Sequence, residues 1–178
     1  MPFKVNTTRF GSMEVEEKHV LHFPEGILGF GKLHDYFLLE EESPSLFLWL
    51  QAIKKSTIAF PLLETQIIAQ NLKLELAPQD AEILKLSDMG VAKSYAIVTI
   101  PSDPSKMTAN LRAPLVVNIE ERLARQVILE NEDYPIRYPI YQELMTFCSY
   151  HNVNLFTAQE KPTFRPLVPE ESRMSLTA

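Results

Sequence analysis

Leu46-Phe47-Leu48-Trp49-Leu50 is apolar at every position, yet it is far too short to cross a bilayer. Such a run must be covered on both faces inside a folded domain, which makes it a central β-strand. Glu41-Glu42-Ser43-Pro44 before it and Lys54-Lys55-Ser56 after it read as connections. Further strand-like segments lie at Phe3 to Phe10, Met13 to Phe23, Asp35 to Glu40, Thr57 to Leu63, Ser94 to Ile100 and Pro114 to Ile119. Gly11-Ser12 reads as a hairpin turn between the first two. Val15, Glu17 and His19 alternate out of phase with Val20 and His22, which predicts a bulge or bend. Leu72-Lys73-Leu74-Glu75-Leu76 alternates as a half-exposed strand does, and Arg125 to Leu129 is expected to pair back across the turn Glu120 to Ala124.

Helical signals are sparse. Pro78 to Leu86 suits a short helix, with a proline near its start. After Pro139, the residues Tyr141, Leu144, Met145 and Cys148 fall at i, i+3, i+4 and i+7, one apolar helical stripe. The expected fold is therefore all-β or β-rich, a small antiparallel barrel-like sheet with one or two short helices. Phe47, Trp49 and Phe60 are expected in its core. The 178 residues suffice for one domain with a substantial core, divided as a β-barrel over 1–140, a helix packing on it over 141–158, and a flexible or extended tail over 159–178. Pro162, Pro166 and Pro169 interrupt that tail.

A net charge of −6 argues against direct nucleic-acid binding, which needs a lysine and arginine excess on some face. It suits a basic protein partner, because opposite fields speed encounter. Met1 to Phe10 lack an apolar signal region, and one cysteine, Cys148, forms no internal disulfide, so a cytoplasmic setting is expected, with no membrane association. Cys148 lies on the apolar stripe and reads as a small buried hydrophobe. His19 and His22 would face opposite sides of one strand, so no metal site is expected. The glycine-rich loop of Gly26, Gly29 and Gly31 lacks a phosphate-binding spacing, and no serine sits in a nucleophile elbow. The acidic groups Glu14, Glu16, Glu17 and Glu40, Glu41, Glu42 read as solvated strand ends. No enzymatic activity and no cofactor are expected.

Thr108-Ala109-Asn110-Leu111-Arg112-Ala113-Pro114 runs directly into Leu115-Val116-Val117-Asn118-Ile119. Pro114 sets its own φ and pushes Ala113 toward extended backbone, so the pair opens a strand where no ladder N–H is needed. Asn110 in the preceding connection reads first as a brace, through its amide on nearby backbone. This string, together with Phe23-Pro24-Glu25-Gly26-Ile27-Leu28-Gly29-Phe30, resembles the flagellar assembly factor FliW family. The likeness covers about residues 3 to 140, including the N-terminal hairpin and Leu46 to Gln51. Leu28, Gly31 and Pro61-Leu62-Leu63-Glu64 depart from the family's usual residues in two loops.

The resemblance implies a cytoplasmic, non-enzymatic regulator, monomeric alone, that binds the RNA-binding repressor CsrA and so relieves repression of flagellin mRNA, with flagellin as its other partner. Candidate partner contacts are Phe30, Asn110, Arg112, Glu14, Glu16 and Glu17, which lie in the motif loops or on solvated strand faces. Phe30 is included because a ring following a glycine turn can be left exposed as an interface anchor. Two other classes are compatible with the residues: a small barrel holding a flavin-like ligand, and a structural subunit of an assembly.

Overall fold

Turn chemistry and alternation build the structure from its N-terminus. The computed structural model, which describes residues 1–43, 45–153, 155 and 162–169, begins with a hairpin of β1 (Phe3–Thr7) and β2 (Gly11–Val15). The reversal comes earlier than Gly11-Ser12: Thr7 pairs with Gly11, and Phe10 N–H donates to Thr7 Oγ1 at 2.8 Å. Gly11 enters β2 at φ +78°, a left-handed value that glycine adopts without a Cβ penalty. The phase break after Val15 is no bulge but a 3-10 turn, Glu17–His19, leading into β3 (Val20–His22). A turn resets the period of 2 by leaving the extended conformation altogether.

Next come β4 (Asp35–Glu41), β5 (Leu48–Ala52) and β6 (Ala59–Glu64), joined as antiparallel neighbours. Two short helices, α1 (Thr65–Ile68) and α2 (Pro78–Ile83), precede β7 (Ala92–Thr99). The chain continues through β8 (Thr108–Ala109), β9 (Leu115–Asn118), β10 (Leu123–Gln126), β11 (Tyr138–Pro139), α3 (Tyr141–His151) and β12 (Phe164–Leu167). Strands β7-β6-β5-β4-β3-β10-β9 are hydrogen-bonded in that order, and β9 pairs back onto β7 from Ala92↔Asn118 to Tyr95↔Leu115. The result is a closed seven-strand barrel, β-rich with few short helices. Closure leaves these strands no free lateral edge over the paired stretch. Among the described residues the one parallel contact is β3 with β10, where His22 N–H donates to Arg122 O at 2.9 Å.

The interior is filled by side chains. Leu21, Phe23, Tyr36, Leu38, Leu48, Leu50, Leu62, Tyr95, Leu115 and Val117 form one buried cluster. Each such aliphatic or aromatic residue contributes roughly 1.5–3 kcal/mol by leaving water. The Tyr36 hydroxyl has no hydrogen-bond partner among the described residues, and burial pushes its pKa up to about 12. The outward faces of β4 and β5 are covered as well: Val5 and Val15 of the hairpin pack on Phe37 and Leu39, with Trp49 beside them. That double cover is why Leu48 to Leu50 carries apolar residues at consecutive positions; Leu46 and Phe47 precede β5 and pack in a separate cluster with Leu63 and Leu144. Trp49 itself is half-buried, its ring edge-on to Phe10 at 5.5 Å and beneath the Arg9 guanidinium at 4.5 Å. A third cluster gathers Leu63, Ile68, Val98, Ala109, Ile140, Leu144 and Cys148, seating α3 on the wall near α1.

Other expectations are corrected as well. Leu72 to Leu76 forms no strand. Its alternation is nevertheless real, since Leu72, Leu74 and Leu76 pack on the buried cluster of Leu84, Val116, Val127 and Leu129. Alternating hydrophobicity reports which side is covered; it does not supply a neighbour for the ladder. On α3 the buried positions are Leu144 and Cys148, whereas Met145 is 43 % exposed and lies off the stripe. Of the expected helix over 141–158 the structure describes Tyr141–His151 as helical, with Asn152 closing it at φ +54°. Of the expected tail over 159–178 it describes 162–169, where Phe164–Leu167 is extended and bonded along β4; residues 159–161 and 170–178 lie outside the described residues.

Candidate interaction surface

The Phe23 to Phe30 string folds into two tight turns because its glycines permit them. Gly26 N–H donates to Phe23 O at 3.0 Å, and Phe30 N–H to Ile27 O at 2.7 Å. Gly26 sits at φ +70°, and a Cβ there would lie 2.8 Å from Gly31 Cα and 2.9 Å from Phe30 O. Phe23 points into the barrel, fully buried and edge-on to Tyr36 at 5.0 Å. Leu28 points out, at 62 % exposed. Phe30 is half-buried against Phe60, edge-on at 5.2 Å, so part of its ring packs and part faces solvent.

The second string is braced from within. Asn110 Oδ1 accepts from Arg112 N–H and Ala113 N–H, both at 3.1 Å, while Asn110 N–H donates to Ile97 O at 3.0 Å. Arg112 spends its guanidinium on the neighbouring loop, Nε donating to Tyr134 O at 3.0 Å and Nη2 to Glu132 O at 3.1 Å. Both side chains are half-buried and bound to backbone. Asn110→Ala is therefore expected to cost about 1–3 kcal/mol, the range for leaving two backbone donors without their acceptor. Chemical denaturation measures that cost. Lost partner binding at unchanged stability would instead make Asn110 a contact.

Strand β10 knits the two strings together. Leu28 N–H donates to Gln126 Oε1 at 2.9 Å, and Gln126 Nε2–H donates to Ala113 O at 3.1 Å. One residue earlier, Arg125 Nε donates to Asp80 Oδ1 at 2.6 Å while Nη1 meets the Glu25 carboxylate. Burial works against the charge on Arg125, yet Glu25 and Asp80 outweigh it and leave the guanidinium pKa raised. At the other end of β10, Arg122 Nη1 donates to Glu17 O, with Nη2 4.0 Å from the Glu17 carboxylate. Arg125 and Gln126 carry no local signal in the sequence as linking residues, because Glu25 and Leu28 lie about a hundred positions away.

The acidic candidates occupy the hairpin end. Glu14 stands across from Lys4 in the β1–β2 ladder. Glu16 lies 3.1 Å from Lys18 Nζ, and that hydrogen bond and charge lower its pKa. Glu17 has an 89 % exposed side chain. The structure thus joins Glu17 to β10 through Arg122 and joins the Phe30 loop to the Asn110–Ala113 loop through Gln126; it does not merge all six candidates into one cluster. Groups with reactive chemistry are occupied elsewhere. His22 Nδ1 lies 2.8 Å from Asp35 and His34 Nδ1 2.8 Å from Phe23 O, and burial raises the Cys148 thiol pKa. No cluster of three or more His, Cys, Asp or Glu suited to a metal ion occurs among the described residues.

The two motif strings, joined by Gln126, fall inside the region matched by a family model described as FliW protein, residues 4–140. The chain belongs to the FliW family. A flagellar assembly factor FliW from Bdellovibrio bacteriovorus is 46% identical over 140 residues, 79% of this chain and 80% of that one. The FliW of Ruminiclostridium cellulolyticum is 37% identical, covering 79% of this chain and 95% of its own. A crystal structure of the flagellar assembly factor FliW superposes with a TM-score of 0.73 at 31% identity, over 78% of this chain and 97% of that chain. The barrel is thus the FliW fold, and α3 and β12 lie beyond the family match.

Proposed function

We infer that this chain acts in flagellar assembly as a cytoplasmic, non-enzymatic FliW that binds CsrA, relieves its repression of flagellin mRNA, and also binds flagellin. The observation that carries the reading is the family match over the whole barrel, with both motif strings present and joined through Gln126. The charge supports it: at −6 overall, with Glu14, Glu17 and Glu25 exposed, the surface suits a basic protein partner and repels nucleic acid. Mutually exclusive binding of the two partners would let free flagellin release CsrA and so limit its own synthesis. Leu28 and half-exposed Phe30, held on a rigid glycine turn, are suited to anchor one partner, with Glu14, Glu16 and Glu17 steering it.

The test is a pulldown of purified CsrA and flagellin from the same organism. Each is expected to be retained, with the CsrA association rate falling as salt rises; retention of neither at micromolar concentration sinks the reading. The barrel interior is packed with Tyr36, Tyr95, Phe23 and leucines, so nothing there favours a flavin-like ligand over a protein partner.

A further inference from the structure

Strand β12 pairs with β4 alone and stands off the closed path of the barrel. It lies outside the family match, and the barrel closes without it. One side of β4 is shared by two strands: β3 covers Asp35 to Phe37, and β12 covers Leu38 to Glu41. Glu42 N–H donates to Thr163 O at 2.9 Å, and Ile53 N–H donates to Asp35 O on the opposite side. Antiparallel alternation then directs the N–H groups of Leu38, Glu40 and Glu42 toward β12, and those of Phe37 and Leu39 toward β5. Pro166 falls opposite Leu39 in a non-hydrogen-bonded pair, where its missing N–H costs nothing.

The side chains define what this edge accepts. Phe164 turns outward onto Phe10, centroids 4.7 Å apart, beside the cluster of Phe37 and Leu39. Arg165 places Nε 2.7 Å and Nη2 2.6 Å from Glu40 Oε1, a carboxylate whose side chain is only 5% exposed. Leu167 enters the barrel cluster alongside Leu38. A short strand held along one edge, with a proline in it, opens at lower free energy than a strand of the closed barrel.

We propose that the Leu38 to Glu42 edge of β4 is a strand-addition site for an extended peptide carrying an aromatic residue, then a cation, then an aliphatic residue two positions on, and that residues 163–167 occupy it in cis until such a partner displaces them. The backbone of the edge supplies affinity, and the buried Glu40 supplies selectivity. A peptide with an acidic residue opposite Glu40 is rejected, because two like charges would be desolvated together. The inference does not rest on CsrA or flagellin binding; it needs only this edge and its present occupant.

Two experiments decide it. In the unmodified protein, the amides of Leu38, Glu40 and Glu42 are expected to exchange with deuterium at least tenfold faster than those of Phe37 and Leu39 on the same strand. Equal rates would make β12 an integral strand and overturn the proposal. In the second, a synthetic peptide of residues 162–169 is titrated into the full-length Phe164→Ala, Arg165→Glu variant. Trp49, the single tryptophan, reports through its contact with Phe10. Saturable binding at least tenfold tighter than to the unmodified protein is expected, and at least tenfold weaker binding when the peptide carries Arg165→Glu. The proposal fails if the variant binds both peptides alike or neither, or if it loses its cooperative fold, since a displaceable strand is not essential.

Discussion

Gly26→Ala is expected to lower stability by roughly 2–5 kcal/mol. A left-handed alanine costs about 1–2 kcal/mol by itself, and forcing a methyl into filled space adds about 1–3. At Gly26 both terms apply, because φ is +70° and the added carbon would meet Gly31 Cα at 2.8 Å, a backbone atom that cannot rotate away. Gly29 is the internal control: its φ is +85°, yet nothing lies within 4 Å of where a Cβ would stand, so only the first term remains. Urea unfolding of both variants should show a clearly larger drop in midpoint, at similar slope, for Gly26→Ala. If the two substitutions cost the same, close approach to the Phe30-Gly31 backbone is not what demands glycine at 26. The consequence reaches the surface, since this turn aims Leu28 and Phe30.

Phe23→Ala should cost about 3–5 kcal/mol, the range for emptying an aromatic site in a sealed core. For a protein of this size that lowers the melting temperature by roughly 6–20 °C. The ring is fully buried and edge-on to Tyr36, while the backbone of the same residue accepts from Gly26 N–H and His34 Nδ1. The cavity therefore opens beneath the loop that carries the exposed residues. Phe30→Ala removes a half-exposed ring and should cost well under half as much, with its larger effect on partner retention. A Phe23→Ala protein within about 1 kcal/mol of the parent would mean that the interior collapses around the gap.

Much of the barrel was legible in local pattern. Leu46 to Leu50 announces double cover because consecutive apolar residues on an extended chain face opposite sides; over Leu48 to Leu50 both sides are filled, by the barrel cluster and by the hairpin, whereas Leu46 and Phe47 precede the strand and pack beside α3. Ala113-Pro114 announces a strand entry, and β9 begins at Leu115. Asn110 as a brace was equally readable, since the backbone donors to its side chain lie within three residues. Leu72 to Leu76 misled because burial on one side and pairing in a ladder leave the same alternation. The hairpin apex is not legible, because glycine marks where φ can turn positive, at Gly11, and not which residue forms the apex; the phase break after Val15 is legible, but not that it takes the form of a 3-10 turn.

Sequence by itself determined the strand-rich class, the glycine-dependent loop, the strand opened by Pro114 and, through two strings of residues, the family. These follow from constraints that act within a few positions: steric limits on φ, side-chain alternation and short-range hydrogen bonds. Tertiary structure alone decided that Gln126 ties those strings together, that Arg125 spans Glu25 and Asp80, and that Phe164–Leu167 lies along β4 with Arg165 on Glu40. Those contacts join residues from 13 to 125 positions apart. Nothing in local propensity encodes such partners, because they are brought together only when the barrel closes and the chain's far segments share its wall.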